Sequence, residues 1–449
     1  MQDNSATRRP DPRSLILCGI LLPMKRTRPW KAIALTFVLT LAGTLLVLNF
    51  TGSEKKLDEQ VRHEYALHDA QYQRALGVML GPPITDGNRF EALQNGDRIF
   101  PQMLAAIRGA QRSITFETYI YWSGDIGRAF ADALSERARA GVAVHVLLDW
   151  VGSAKVDAGF LREMEAAGVQ IRKFHKPSWY DIGRMNNRTH RKLLVVDGRI
   201  GFTGGVGIAP EWTGDAQDAQ HWRDSHYRVE GPVVAQMQAV FMDNWVKVSG
   251  EVLHGERYFP PLPEAGAGRA QMFSSSPSGG SESMHLMYLL SIAAATKTID
   301  LSSAYFVPDE LTVDALVAAM RRGVRLRIIT PGPVIDSQTV RHASRASWGD
   351  LLQAGAEISE YQPTMFHCKV FTVDGLLVSV GSTNFDNRSF RLNDEANLNI
   401  YDPAFAAEQT AQFEVDLLQS KRLSYEAWQA RPWHEKAMER LASLLSTQL

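Results

Sequence analysis

Polar and apolar positions along this chain follow an order that runs twice. From Ser113 a β-rich run (SITFETYIYW) gives way to a helical stripe (IGRAFADALSERARAGV), a second strand (AVHVLLDW), another helix and a short strand. From Thr298 the order returns as TIDLSSAYFV, ELTVDALVAAMRRGV and RLRIIT, again followed by a helix and a strand. Apolar residues three or four apart mark the helices, and short apolar runs bounded by turn signals mark buried strands. The first helix of each copy ends in Ala-Gly-Val or Arg-Gly-Val, with Gly where a helix terminus favours positive φ. Strand alternating with helix predicts an α/β class with mixed, mostly parallel sheets flanked by helices. A Ser-, Gly- and Pro-rich stretch at 263–283 divides the copies, predicting one half over 88–262 and the other over 284–449.

The chain outside the repeat has its own pattern. Residues 32–50 (AIALTFVLTLAGTLLVLNF) are an uncharged run of 19, preceded by a basic leader, 1–31, that carries seven Arg or Lys against two Asp. That length suits a transmembrane anchor, and the basic flank predicts a cytoplasmic N-terminus with the body on the other side. A cleaved signal peptide is the rival reading, opposed by the long apolar run and the lack of a small-x-small site. Met24 opens a well-formed leader of its own (MKRTRPWK), which makes it an alternative start. Residues 51–87 read as a stalk or linker. At the C-terminus, Ala437, Leu441, Leu444 and Leu445 form an amphipathic stripe that either docks on the body or lies on a bilayer.

The candidate chemistry sits at the end of each copy. Thr189–Gly205 (THRKLLVVDGRIGFTGG) and Phe366–Ser382 (FHCKVFTVDGLLVSVGS) share one layout: His, Lys two on, Asp five further, and a small pair seven beyond that. These are His190, Lys192, Asp197, Gly204 and Gly205, and then His367, Lys369, Asp374, Gly381 and Ser382. A chain of this composition would hold His-x-Lys-x4-Asp by accident roughly 0.02 times, so the duplication is a motif. His and Lys at i and i+2 share one face of an extended segment, and Asp-Gly marks a tight hairpin behind them. Imidazole and ammonium on one wall, with small residues admitting close approach, fit a phosphate.

On these residues the chain resembles the phospholipase D superfamily, and within it the bacterial cardiolipin synthases. The resemblance extends over FETYIYWSGDIGRAFADAL, HWRDSHYRVEGPVV, SSAYFVPDELTVDAL and NFDNRSFRLNDEANL. It departs where the family's first motif continues Gly-Gly-x-Asn: here Gly207 stands where the second half keeps Asn384. The resemblance implies a duplicated phospholipase D-like fold of two pseudo-twofold-related halves at a bacterial inner membrane, with the body periplasmic. It also implies His190 as nucleophile and Asp224 and Glu395 as the acids that orient the imidazoles. Lys192 and Lys369 would hold phosphoryl oxygens, with Gly205, Ser382, Asn384, Tyr119 and Tyr305 at the substrate. Asp197 and Asp374 complete the catalytic motif, although their place at Asp-Gly turns favours an architectural part.

Two imidazoles and two ammonium groups supply a nucleophile, an acid and fixed positive charge, so the expected reaction needs no metal and no cofactor. The implied partners are phospholipids: phosphatidylglycerol as donor, a second phospholipid as acceptor, and the membrane itself. Hydrolysis of the phospholipase D type is the alternative, since only the acceptor differs. A nuclease or general phosphodiesterase ranks lower, because the net charge of -1 leaves residues 32–449 at -6 and no basic surface for nucleic acid. An inactive membrane-tethered scaffold is disfavoured by two complete motifs. Cys18 and Cys368 suggest no disulfide. Cys368 alternates away from its neighbours and reads as core, and His145 and His285 read as satisfied surface or core residues.

Overall fold

The computed structural model describes residues 29–50, 57, 59–174, 186–277 and 283–449. The basic leader to residue 28 and the Met24 start lie outside the described residues. The chain forms two units, Met1–Leu48 and Asn49–Leu449. In the first, a helix runs from Pro29 to Phe50 and exposes Ile33, Leu35, Phe37 and Leu39. Among the described residues no helix is long and apolar enough to cross a membrane.

The second unit is built on strands. The first half supplies β1 (Thr85–Gln94), β2 (Ser113–Thr118), β3 (Ala143–Asp149), β4 (Gln170–Phe174), β5 (Arg188–Thr189), β6 (Leu193–Val196), β7 (Ile200–Gly204) and β8 (Ser225–Glu230). The second supplies β9 (Gly268–Ser275), β10 (Thr298–Ser303), β11 (Phe306–Val307), β12 (Arg325–Pro331), β13 (Glu357–Tyr361), β14 (Lys369–Val373), β15 (Leu377–Gly381), β16 (Phe385–Asp386), β17 (Asn393–Tyr401) and β18 (Ser420–Leu423). One sheet runs β18-β13-β12-β10-β14-β15-β17-β9-β1-β8-β7-β6-β2-β3-β4. Apart from β18 at the edge, that order reads alike from either end towards β9 and β1. The duplication is therefore a palindrome of strands, with its midpoint where β1 pairs antiparallel with β9.

The expected preponderance of parallel pairing is corrected. β2-β3-β4 and β10-β12-β13 are parallel, as strand–helix–strand crossovers require. Each motif, however, is itself a hairpin, β6–β7 or β14–β15, and the strand after it also returns antiparallel. Of the sixteen pairings among the described residues, ten are antiparallel.

Two stretches expected as connectors carry structure. Within 51–87, the helix Ala70–Leu80 buries Tyr72, Leu76 and Leu80 in the core of the second half, roughly 1.5–3 kcal/mol for each large apolar side chain. Within 263–283, β9 is a central strand that buries Met272 and Phe273. The helices Asp125–Arg139 and Glu310–Arg321 end as expected, with Gly141 and Gly323 at φ of +89° and +95°. His145 and His285 are core residues bonded to Tyr258 and Thr312, and Cys368 is buried. The C-terminal helix Trp433–Ser443 docks through Glu439, which receives Arg431 and Arg345. Its Trp433, Met438 and Leu441 remain exposed.

Candidate active site

The two hairpins place their motifs by local chemistry. Asp197-Gly198 and Asp374-Gly375 all take positive φ, between 52° and 64°, which is the turn that matches the twist of paired strands. Asp197 accepts from the backbone N–H of Gln111, Arg112 and Ser113, and Asp374 from those of Thr296, Lys297 and Thr298. Both carboxylates tie the far end of a hairpin to the strand beside it, and neither lines the cleft. Both sit at the hairpin turns, the place that favours an architectural part.

At the near end the backbone of each motif is fastened to the opposite half. His190 N donates to Asp394 O at 2.9 Å, continuing the β5–β17 pairing. His367 N donates to Arg223 O at 2.7 Å, and Arg223 N to Met365 O at 3.0 Å. The His-x-Lys segments thus stand just ahead of the hairpin strands, with only Lys369 inside one. The Arg223–Asp416 ion pair, buried and bidentate, reinforces this junction.

The imidazoles are held across the same junction. His190 Nδ1 meets Glu395 Oε1 at 2.9 Å, and His367 Nδ1 meets Asp224 Oδ2 at 2.7 Å. Glu395 and Asp224 are the two acids that the resemblance implied, and each contacts the histidine of the other half. With Nδ1 engaged, His190 has Nε2 left for the cleft, whereas Lys369 Nζ stands 3.3 Å from Nε2 of His367. The carboxylates are steadied differently: Ser382 Oγ donates to Glu395 Oε2 at 2.5 Å, whereas Trp212 Nε1 donates to Asp224 Oδ2 at 2.9 Å. Gly205, which replaces Ser382 in the first half, is required by this approach, since a Cβ there would lie 2.2 Å from Asp224 Oδ1.

His190, Lys192, His367 and Asn384 line one cleft of about 410 Å³, together with Tyr119, Tyr305, Trp122, Trp212, Trp222, Arg188, Arg388 and Asp336. Lys192 Nζ and Lys369 Nζ donate to the carbonyls of His190 and His367 at 2.7 and 2.8 Å, which curls each ammonium back beside its imidazole. Burial lowers His190 to about 4 against the pull of Glu395, and lowers His367 to about 3 with help from Lys369. Burial, then Lys369, brings Lys192 down to about 7, and Lys369 is lowered chiefly by burial. Burial pushes Asp224 and Glu395 up, but the imidazole each faces and the neighbouring lysines override it, leaving both below their ordinary values.

Tyr119 packs edge-on to His190, ring centroids 5.3 Å apart, and Tyr305 donates its hydroxyl to Asp336 at 2.5 Å. Sequence reasoning missed Trp212 and Trp222, which flank the His367 ring at 5.2 and 5.5 Å. Trp212 also explains the Gly207 departure: a Cβ at Gly207 would meet Ile120 at 2.8 Å and the Trp212 ring at 3.1 Å. Indole and Ile120 fill the space an Asn would need. Arg188 and Arg388 were missed too, although both lie within a few residues of a motif. Among the described residues no group of three or more His, Cys, Asp or Glu could hold a metal ion.

A duplicated α/β scaffold that joins two His-x-Lys pairs over one cleft defines a protein of the phospholipase D class. A family model described as "Cardiolipin synthase, PLD-like domain" matches residues 103–245 and 288–417. The chain is 37% identical over 366 residues to a probable cardiolipin synthase of Bacillus subtilis (strain 168), covering 81% of this chain and 73% of that one. It is 34% identical over 382 residues to cardiolipin synthase A of Pseudomonas fluorescens, covering 83% and 78%. The fold is similar to that of phosphatidylserine synthase from Haemophilus influenzae, with a TM-score of 0.65 at 13% identity over 84% of this chain and 100% of that one. The chain belongs to the cardiolipin synthase family of phospholipase D-like proteins.

Proposed function

We propose that the protein is a membrane phosphatidyltransferase that moves a phosphatidyl group from phosphatidylglycerol to the hydroxyl of a second phospholipid, making cardiolipin and glycerol. The observation that carries this reading is reciprocal support: two imidazoles share one cleft, each held at Nδ1 by a carboxylate of the other half. Curated relatives named as cardiolipin synthases support the choice of substrate.

In the first step neutral His190 attacks phosphorus through Nε2, forming a P–N bond as the bond to the glycerol oxygen breaks. His367 donates its Nε2 proton to that departing oxygen. The acceptor hydroxyl then attacks, the P–N bond breaks, and the hydroxyl proton passes to His367. Burial, Lys369 and Lys192 hold His367 at about 3, so the proton it gives depends on the substrate. A phosphodiester anion set between Lys192 and Lys369 offsets their field and lets the imidazole charge. Asn384 borders the same oxygens, while Ser382 acts through Glu395, to which its hydroxyl donates.

The helix Pro29–Phe50 serves as a single anchor in a bacterial inner membrane. Its 19-residue uncharged core and the preceding Lys25, Arg26, Arg28 and Lys31 support a cytoplasmic N-terminus and a periplasmic body.

Purified protein given labelled phosphatidylglycerol in detergent tests the reading. Cardiolipin with released glycerol is expected. Phosphatidic acid alone would make it a hydrolase, turnover of bis-p-nitrophenyl phosphate without lipid chemistry a general phosphodiesterase, and no turnover of either a scaffold.

A further inference from the structure

The cleft has cationic groups beyond the reacting quartet. Lys192 and Lys369 bear on the imidazoles, while the charges that bear on the Tyr119 hydroxyl are Asp149, Arg188, Arg388 and Asp336. Both guanidiniums line the cavity, together with Tyr119, His190 and Lys192. They come from opposite halves: Arg188 opens β5, and Arg388 sits in the helix Asn387–Arg391.

Arg388 is fixed in place. Its Nη2 donates to Asn186 O at 2.8 Å and its Nη1 to Gln448 O at 3.1 Å, with Asn186 Oδ1 also in reach. Burial, then Arg188, lowers its affinity for a proton, so two like charges are held near one another in a confined space. Asp149 and Asp386 oppose them, but both carboxyls are pushed up to about 6 by burial and are already committed. Asp149 accepts from the N–H of Val151, Gly152 and Thr189, and Asp386 from that of Ser389.

Guanidiniums from both halves that line one cleft can meet an anion with several oxygens, and guanidinium forks suit phosphate. One phosphate is already accounted for at the imidazoles. Resting on the phosphatidyltransferase reading above, we propose that Arg188 and Arg388 form a second phosphate subsite that binds the phosphodiester of the acceptor lipid and brings its free hydroxyl to the phosphorus on His190. Phosphate recognition there separates a lipid acceptor from water or a simple alcohol. The cavity of about 410 Å³ has both guanidiniums and both imidazoles in its lining.

The full-length protein in mixed micelles tests this with two competing acceptors: phosphatidylglycerol, and monoacylglycerol, which has an acyl chain and a primary hydroxyl but no phosphate. The ratio of cardiolipin to the phosphatidyl-monoacylglycerol product is the readout. The unaltered protein should favour the phosphate-bearing acceptor by roughly tenfold or more. Arg188→Gln should collapse that preference, and Arg388→Lys, which keeps charge but loses the fork, should weaken it. Equal use of both acceptors by the unaltered protein, or a ratio unmoved by Arg188→Gln, overturns the subsite while leaving the transferase reading intact. If added inorganic phosphate raises monoacylglycerol to parity, the ligand is the free ion and the acceptor assignment is overturned. Formation of phosphatidic acid alone overturns the transferase reading itself.

Discussion

Glu395 of the second half holds His190 of the first, Oε1 to Nδ1 at 2.9 Å, and Asp224 returns the arrangement to His367 at 2.7 Å. Neither histidine is oriented by its own half, so the site is complete only when both halves are folded against each other. Glu395→Gln and Asp224→Asn keep the shape but lose the charge and tautomer control. Each should lower kcat roughly 10²- to 10⁴-fold with little change in KM, measured as cardiolipin formed from phosphatidylglycerol. A loss confined to KM would show that these carboxylates serve binding and not the imidazoles.

His190→Ala and His367→Ala should each reduce turnover roughly 10³-fold or more, and the double variant should be no worse than either single one, because both act on a single phosphorus. Steady-state rates of the three variants decide it; additive losses would mean two independent sites.

In the lipid-free protein, His190 and His367 should stay neutral through the ordinary imidazole range near 6.5, since burial holds them to about 4 and about 3. Imidazole proton shifts followed by NMR against pH would record this. Adding inorganic phosphate should raise both midpoints, and midpoints that ignore the anion would contradict the charge balance argued for His367.

Behind His190, Glu117 is buried and pushed up to about 7, chiefly by that burial, while accepting from Thr189 and Asn244. Its folded value is raised. Between 4.5 and about 7 the folded chain therefore keeps a proton that the unfolded chain has lost, and this contribution disappears as pH rises through 7. Glu117→Gln carries no charge at any pH. It should match the native protein most closely near pH 4.5 and gain on it by roughly 1–3 kcal/mol above pH 7, read from denaturation midpoints across that range. A difference independent of pH would mean the carboxyl is already ionised in the fold.

Gly205→Ala would drive a methyl group into the Asp224 carboxylate, which lies 2.2 Å from the added carbon. Loss of roughly 1–3 kcal/mol in stability and a larger loss in activity are expected, since the same carboxylate orients His367. Thermal midpoint and turnover should fall together; an unaffected rate would show that Asp224 can shift without consequence.

What was legible in the chain was local. The His-x-Lys pairs, the Asp-Gly turns and the glycines after the first helices depend on a few neighbouring residues, and the structure forms them where the pattern places them. What was not legible depends on partners far away in sequence. Nothing near His190 announces Glu395, 205 residues on, as its own holder rather than that of His367. β9 hides in a stretch whose Gly, Ser and Pro content suggests a connector, because burial between β1 and β17 stabilises it more than its own propensity does. The sheet was expected to be mostly parallel because crossovers are conspicuous in sequence, whereas each motif hairpin takes part in three antiparallel pairings. Trp212 obeys no periodic rule, and its part follows from the room left at Gly207.

That room has a further consequence. A perfectly twofold site would offer a phosphodiester two equivalent imidazoles and could be entered either way round. With Ser382 on one carboxylate and an indole on the other, and an amide at 384 but none at 207, the two approaches differ in shape and polarity. The broken symmetry gives the cleft a front and a back, and a reaction between two nearly identical lipids acquires a direction.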